Sequence, residues 1–213
     1  MSGGEGAAVE LPPAALAEMS EVVSAGAGWA PRNSTQKGLA FLGIEEGPAK
    51  VVLAGTSEKI AVWTRWATPP APEAERRPKR GAEIAVDARG LAVTAGSLYS
   101  DVRVSVVRLC VEGQEVVAAG MGRSGNLIEW TRLVGVANAS RPDFEGELRK
   151  GSVPVEKWPA FEVHSSTFAA LGDIEGRVKW QLRRCEGRLR LVGKRVGAGV
   201  EWKVLVALDP AEG

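Results

Sequence analysis

The sequence contains few of the side chains on which enzyme active sites and metal sites depend. Its 213 residues include one histidine, one tyrosine and two cysteines. A structural zinc site needs about four Cys or His ligands close together, and a Ser-His-Asp relay needs its histidine in contact with both partners. The single histidine, His164, precedes two serines that fit the start of a helix better than a relay. We therefore expect no catalytic residue, no metal ion and no cofactor.

A strong net charge and long apolar runs are also missing. The 27 basic and 26 acidic residues give a net charge of +1, which argues against a general polyanion binder but leaves local patches open. No apolar run approaches the roughly 20 residues needed to cross a bilayer, and the stretch from Met1 to Gly6 lacks the features of a signal peptide. The two cysteines are widely spaced and fit free thiols better than a bridge. These features predict a cytoplasmic protein without a membrane partner.

The composition that remains is that of an ordinary globular protein, with 45% hydrophobic and 25% charged residues. A helix is predicted at 11–23, because prolines fit its first turn and Leu16 and Met19 fall on one face. Gly26 and Gly28 are expected to end it. Strand-like segments follow at 38–44, 50–55 and 59–66.

The order of elements then repeats beyond a proline-rich loop. A predicted strand leads into a second helix, which has Asp87 as its N-cap. Three further predicted strands follow, up to Val134. The repeat predicts a domain at 1–138 built of two helix-plus-strands units, a linker at 139–159, and a shortened second domain at 160–213. The expected fold class is α+β, with antiparallel sheets that carry short helices packed on one face.

Short runs within these units share the order of a known family. Residues 17–24, 38–44 and 51–57 give a helix, an apolar strand and a strand ending in a Gly-Thr step, and 84–91 give a strand-to-helix step. An Arg-Pro-Asp-Phe step follows at 141–144, near the start of the linker. In this order the chain resembles the bacterial-type DNA sliding clamp, the β subunit of DNA polymerase III, in a divergent and shortened form.

The resemblance implies a protein that works by binding and is not an enzyme. A sliding clamp is a closed ring that tethers a replication or repair enzyme to DNA. The resemblance therefore implies a homo-oligomer, sequence-independent contact with DNA, and a DNA polymerase or other replication protein as partner. We expect the chain to end about half-way through a second clamp domain. The partner-peptide pocket of the family lies in its last domain, so no pocket residue is carried over.

The predicted helices carry little of the positive charge that lines the hole of a clamp. In such a ring, Lys and Arg on the helices contact phosphates without reading bases. The first helix instead contains Glu18 and Glu21, and the second offers Arg89 alone. A second hypothesis therefore stands beside the ring, namely a clamp-derived module that binds a replication protein without encircling DNA.

Positive charge is concentrated towards the C-terminal end. Residues 177–203 include nine basic and two acidic residues. Arg177 and Lys179 alternate with apolar residues, as do Arg188 and Arg190, which places each pair on one polar sheet face. This face is a candidate surface for nucleic acid or an acidic protein, or an edge hairpin that its charge protects from aggregation. The candidate DNA-binding residues are Arg89, Arg177, Lys179, Arg183, Arg188 and Arg190.

Tryptophan is unusually frequent, with seven residues against one tyrosine. Trp180 lies between Val178 and Leu182 and is expected to face the core. Trp29 and Trp158 fall in irregular segments. Each is a candidate partner-binding residue or a side chain that pins a loop to the core.

Overall fold

The structure is a computed structural model, which describes residues 7–27, 38–46, 49–56, 60–68, 81–139, 143, 153–154, 161–162, 179–185, 188–197 and 199–210. Two helices and thirteen strands lie in this part of the chain. In chain order they are β1 (Ala7–Leu11), α1 (Pro13–Ala27), β2 (Leu39–Glu45), β3 (Lys50–Thr56), β4 (Ile60–Ala67), β5 (Gly81–Asp87), α2 (Ala88–Ser100), β6 (Val106–Glu112), β7 (Glu115–Met121), β8 (Leu127–Val134), β9 (Val153–Pro154), β10 (Phe161–Glu162), β11 (Lys179–Cys185), β12 (Arg188–Gly197) and β13 (Val200–Pro210).

Two units with the same order of strands and helix make up the first two thirds of the chain. The first is β1-α1-β2-β3-β4 and the second is β5-α2-β6-β7-β8. The repeat follows the predicted order, but β1 is not among the predicted strands, and Leu11 belongs to it and not to the helix. Ala7, Val9 and Leu11 are buried and alternate with more exposed residues. Five residues of mostly small side chains give too short a pattern for sequence reasoning to detect.

The first strand of each unit pairs with the sheet of the other unit. β1 lies antiparallel to β6, with Ala7 opposite Val111 and Leu11 opposite Val107. In the same way, β5 lies antiparallel to β2. One sheet therefore has the order β1-β6-β7-β8, and the other begins β5-β2-β3-β4. Because of this exchange, neither unit completes its sheet without the other.

The second sheet continues beyond β4 into the C-terminal strands. β13 pairs antiparallel with β4 over seven residues, from Trp66 opposite Val200 to Ile60 opposite Val206. The strands β12, β11 and β9 follow in that order, and β10 pairs with the end of β13. The result is a sheet of nine strands that joins the first unit to the third group of strands.

Both helices pack on one side of the sheets and against each other. α1 also contacts β3, β4 and β13, and its side chains Leu16, Met19 and Val23 are completely buried in the main core. Side chains of this size contribute about 1.5–3 kcal/mol each when buried. The structure thus confirms the α+β class, with antiparallel sheets and short helices on one face. No helix of the described residues is long and apolar enough to span a membrane.

α1 extends beyond its predicted end. It continues through Gly26 to Ala27, so this glycine does not end the helix, and Gly28 lies outside the described residues. α2 likewise continues through Gly96 to Ser100. Gly26 lies against the Val62 side chain, with which an added Cβ would overlap. It therefore serves close packing of α1 on β4. Asp87 is the N-cap of α2, as predicted, and its side chain accepts a hydrogen bond from the Gly90 N–H.

Candidate interaction surfaces

The four-stranded sheet ends in an open edge at β8. β7 is the one strand in the described part of the chain that pairs with β8, from Glu115 opposite Val134 to Met121 opposite Leu127. On its other side β8 has no strand partner among these residues. A strand edge of this kind presents backbone N–H and C=O groups to which another strand can add.

Large apolar side chains flank this strand. Leu127, Trp130 and Val134 are 55%, 53% and 71% exposed. The Arg132 guanidinium lies 5.4 Å from the centroid of the Trp130 ring and 3.3 Å from Glu115 Oε2. Exposed apolar groups beside an open strand are an aggregation hazard in a lone molecule. We call β8 with these side chains the β8 edge, and its composition suits contact with another chain.

The strand β4 holds the same place in the first unit that β8 holds in the second. Each is the last strand of its unit and contains eight residues. The outer edge of β4 is covered by β13, on which Trp202 and Val204 are completely buried. The pairing of β13 with β4 therefore shows, within this molecule, the kind of antiparallel strand addition that the β8 edge can accept.

The solvent-facing sides of the two helices form a second surface, here called the helix face. Glu21 and Arg89 are exposed and Glu18 is half-buried. Together α1 and α2 contain one basic and two acidic residues. The other exposed positions are small or uncharged, and they include Ala14, Val93, Gly96, Ser97, Tyr99 and Ser100. A phosphate backbone on this face would meet a single cation.

A third surface lies on the opposite side of the nine-stranded sheet. In β11, Leu182 points to the helix side and belongs to the main core, against which Trp180 packs as predicted. Lys179 and Arg183 alternate with them and therefore point away from the helices. Arg190 of β12 lies directly opposite Arg183 and shares its face.

Lys203 and Arg65 extend this surface across the junction between β13 and β4. The Lys203 Nζ lies 4.8 Å from the centroid of the Trp63 ring and 3.2 Å from Glu201 Oε1. Arg65 lies opposite Glu201 in the register. We call the five cations the basic sheet face, namely Arg65, Lys179, Arg183, Arg190 and Lys203.

The predicted DNA-binding residues do not all come together. Lys179, Arg183 and Arg190 share the basic sheet face, and the backbone of Arg188 takes a position on it, opposite Cys185. Arg89 is on the exposed side of α2, on the other side of the sheet. Three candidate site residues lie outside the described residues, namely Arg177, Trp29 and Trp158, and so does His164 with the helix predicted after it.

A cleft of about 310 Å³ lies where the two sheets meet. Its walls come from β2, β5, the turn between β6 and β7, and the segment after β8. This segment bridges the sheets, because the Gly135 N–H donates to the Gln114 carbonyl at 2.7 Å and the Val136 N–H to the Ala85 carbonyl at 2.8 Å. A Cβ at position 135 would meet the Ile84 side chain, so the close approach requires glycine.

Hydrogen bonds and burial shift the pKa of Asp101 and of Cys110. Arg103 donates from Nη2 to Asp101 Oδ2 at 2.7 Å and from its backbone N–H to Oδ1 at 2.9 Å, which lowers the pKa of that carboxyl to about 2. Burial raises the pKa of the Cys110 thiol, and Glu112 raises it further. Cys110 is half-buried on β6, between the buried residues Leu109 and Val111. The described part of the chain contains no cluster of three or more His, Cys, Asp or Glu residues that could hold a metal ion.

Comparison with known proteins shows which fold this is. No protein family model matches the sequence, and no curated protein matches it. Solved structures do match. The DNA polymerase III β subunit from Borrelia burgdorferi aligns with a TM-score of 0.65 and 9% identity over 98% of this chain and 65% of its own. The β clamp from Helicobacter pylori gives 0.63 and 11% over 96% and 67%, and the β subunit from Thermotoga maritima gives 0.61 and 11% over 96% and 65%.

The chain therefore has the fold of the DNA sliding clamps. It spans about two thirds of the length of the clamps that it matches. The fold likeness that sequence reasoning inferred from element order is confirmed, although the sequence identity is low.

Proposed function

We propose that the protein is a sliding-clamp-like tether in DNA replication or repair, which acts as a self-associated ring through the β8 edge. The observation that carries the proposal is the open β8 edge within a clamp fold. Exposed apolar side chains lie on a strand whose outer edge has no strand partner among the described residues, while the outer edge of the equivalent strand β4 is covered by β13. The mechanism would be topological, because a ring holds its enzyme on DNA without breaking any bond.

Closure through β8 would require a strand from another copy of the chain. Antiparallel addition at β8 would extend the four-stranded sheet as β13 extends the other sheet at β4. It would also cover Leu127, Trp130 and Val134, which removes exposed apolar area at a gain of about 25 cal/mol per Å². The partners of such a ring would be DNA, without sequence preference, and a DNA polymerase or other replication protein.

The helix face supports a second candidate function. The two helices contain one basic residue, Arg89, and two acidic residues, whereas a helix-lined hole would hold DNA by phosphate contacts from Lys and Arg. The alternative is a clamp-derived module that binds a replication protein without encircling DNA. The two candidates differ in whether DNA passes through the protein.

An order-of-addition experiment on linear DNA separates them without a loading enzyme. A duplex with biotin at both ends is mixed with protein before or after streptavidin blocks the ends, and retention is measured by gel filtration in high salt. A ring threads over free ends, so it stays bound only when streptavidin is added second. Equal retention in both orders, or none in either, contradicts encirclement and favours the module.

A matched variant ties the result to the proposed interface. In Trp130→Lys with Val134→Lys, two charges at the β8 edge oppose strand addition, so order-dependent retention should be lost. Ala14→Lys adds a charge at an exposed position on α1 and should leave the order dependence intact. Retention by the double variant that equals that of the unchanged protein would exclude the β8 edge as the closure site.

A further inference from the structure

The basic sheet face lies on the side of the sheet that points away from the helices. The core side of the same strands is defined by Trp202, Leu182 and Leu191, all buried in the cluster that includes α1. Lys203, next to Trp202 in sequence, points to the other side and lies over Trp63. Any partner of this face therefore approaches from the outside of the sheet, and not from the side of the helices.

Cations outnumber acidic side chains within the basic sheet face. Arg183 of β11 lies directly opposite Arg190 of β12 in the register, and Lys179 is exposed on the same strand as Arg183. Glu201 bonds to Lys203. The five cations leave a net positive charge on this face, to which a polyanion is attracted.

The geometry of the cations favours a nucleic-acid backbone. Neighbouring strands are about 4.8 Å apart, and the four-residue step from Lys179 to Arg183 covers about 13 Å. The cations thus form a two-dimensional array on a sheet, and the side chains described on this face include no projecting apolar anchor of the kind that most protein interfaces use. Trp63 is buried beneath Lys203, so the described part of the face offers no exposed ring on which single-stranded bases could stack. Duplex DNA requires phosphate contacts alone.

We propose that the basic sheet face binds the phosphate backbone of duplex DNA on the outside of the protein. The site consists of Lys179, Arg183 and Arg190, with Lys203 and Arg65 at the junction of β13 and β4. Binding here is independent of ring closure, because DNA on this face does not pass along the helices. A protein of this design holds DNA against its outer sheet even where the helix face provides little charge.

The test is equilibrium binding to a labelled 30-base-pair duplex whose ends are already blocked with streptavidin, so that threading cannot contribute. Fluorescence anisotropy of the full chain is followed from 50 to 200 mM salt. In Lys179→Glu with Arg190→Glu we expect affinity to fall at least tenfold and the slope of log K against log salt to become shallower by about 2.

Arg184→Glu is the matched control, because Arg184 is an exposed arginine on the same strand and alternates to the opposite face. Its affinity should change less than threefold. If the charge-reversal variant has a lowered melting temperature, Lys179→Gln with Arg190→Gln replaces it. This neutral variant should also bind the duplex more weakly than the unchanged protein. The proposal is overturned by no binding at 50 mM salt, by equal losses in the Arg184 control, or by tighter binding of polyglutamate or single-stranded DNA than of duplex. Since the blocked duplex excludes threading, failure of the ring leaves this result unchanged.

Discussion

Lys203 lies over the ring of Trp63, with its Nζ 4.8 Å from the ring centroid, on one side of the pairing that joins β13 to β4. On the other side of that pairing Trp202 is completely buried in the main core. Tryptophan side chains thus fill both faces of the junction. The C-terminal strands are attached to the first unit by packing as well as by backbone hydrogen bonds.

We expect Trp202→Ala to lower the free energy of unfolding by about 3–5 kcal/mol, because it removes a fully buried aromatic side chain and leaves a cavity. Urea unfolding followed by circular dichroism measures the change. Tyr99→Ala is the control, since Tyr99 is 60% exposed on α2, and its effect should stay within about 0.5 kcal/mol. A comparable loss in both variants would show that the junction is no better packed than the surface.

The two helical glycines should respond in opposite directions to alanine. Gly26→Ala should destabilise the protein, because the added Cβ would overlap the Val62 side chain and force α1 away from β4. Gly96→Ala should stabilise it by about 0.4–1 kcal/mol, since a Cβ there has no neighbour within 4 Å and helical alanine loses less entropy than glycine. Melting temperatures of the two variants check the sign. Equal shifts would contradict the close packing of α1 at Gly26.

The pair formed by Asp101 and Arg103 should give a pH-dependent contribution to stability. Hydrogen bonds from Arg103 lower the pKa of the folded Asp101 carboxyl from 3.8 to about 2. A lowered folded pKa means that the contribution is present above about pH 4 and is lost as the pH falls towards 2. In Arg103→Ala the pKa of Asp101 should rise from about 2 towards 3.8 in an NMR titration, but only part of the way, because the backbone N–H of residue 103 still donates to Oδ1. The melting temperatures of the two proteins should converge near pH 2. A pKa that stays at about 2 in the variant would show that the Arg103 side chain is not its cause.

Local patterns in the sequence were enough to predict the repeat. Asp87 marks the start of α2, and the buried face of α1 follows from the spacing of Leu16 and Met19. The exchange of β1 and β5 between the sheets could not be predicted in this way, because it depends on contacts between residues about 100 positions apart, such as Ala7 with Val111. Short-range periodicity carries no information on such pairing.

The candidate surfaces could likewise be predicted only in part, because local patterns do not show how distant strands pair. Alternation along the chain predicts that Lys179 and Arg183 share a face, but only the pairing of β13 with β4 places that face opposite the helices. The β8 edge was not predicted, although the sequence carries a signal. Apolar residues occur on both faces of β8, where a strand with one solvated face would show polar residues on one of them. The pattern in Leu127, Trp130 and Val134 indicates a surface that another chain can cover.

The measurement that tests the central claim most directly is the native mass in solution, by light scattering over a range of protein concentrations. We predict a closed oligomer whose mass is a fixed multiple of the 22.5 kDa chain. Trp130→Lys with Val134→Lys should reduce it to 22.5 kDa, while Ala14→Lys should not. A monomer at all concentrations, or a double variant with the mass of the unchanged protein, would contradict the assembly through the β8 edge.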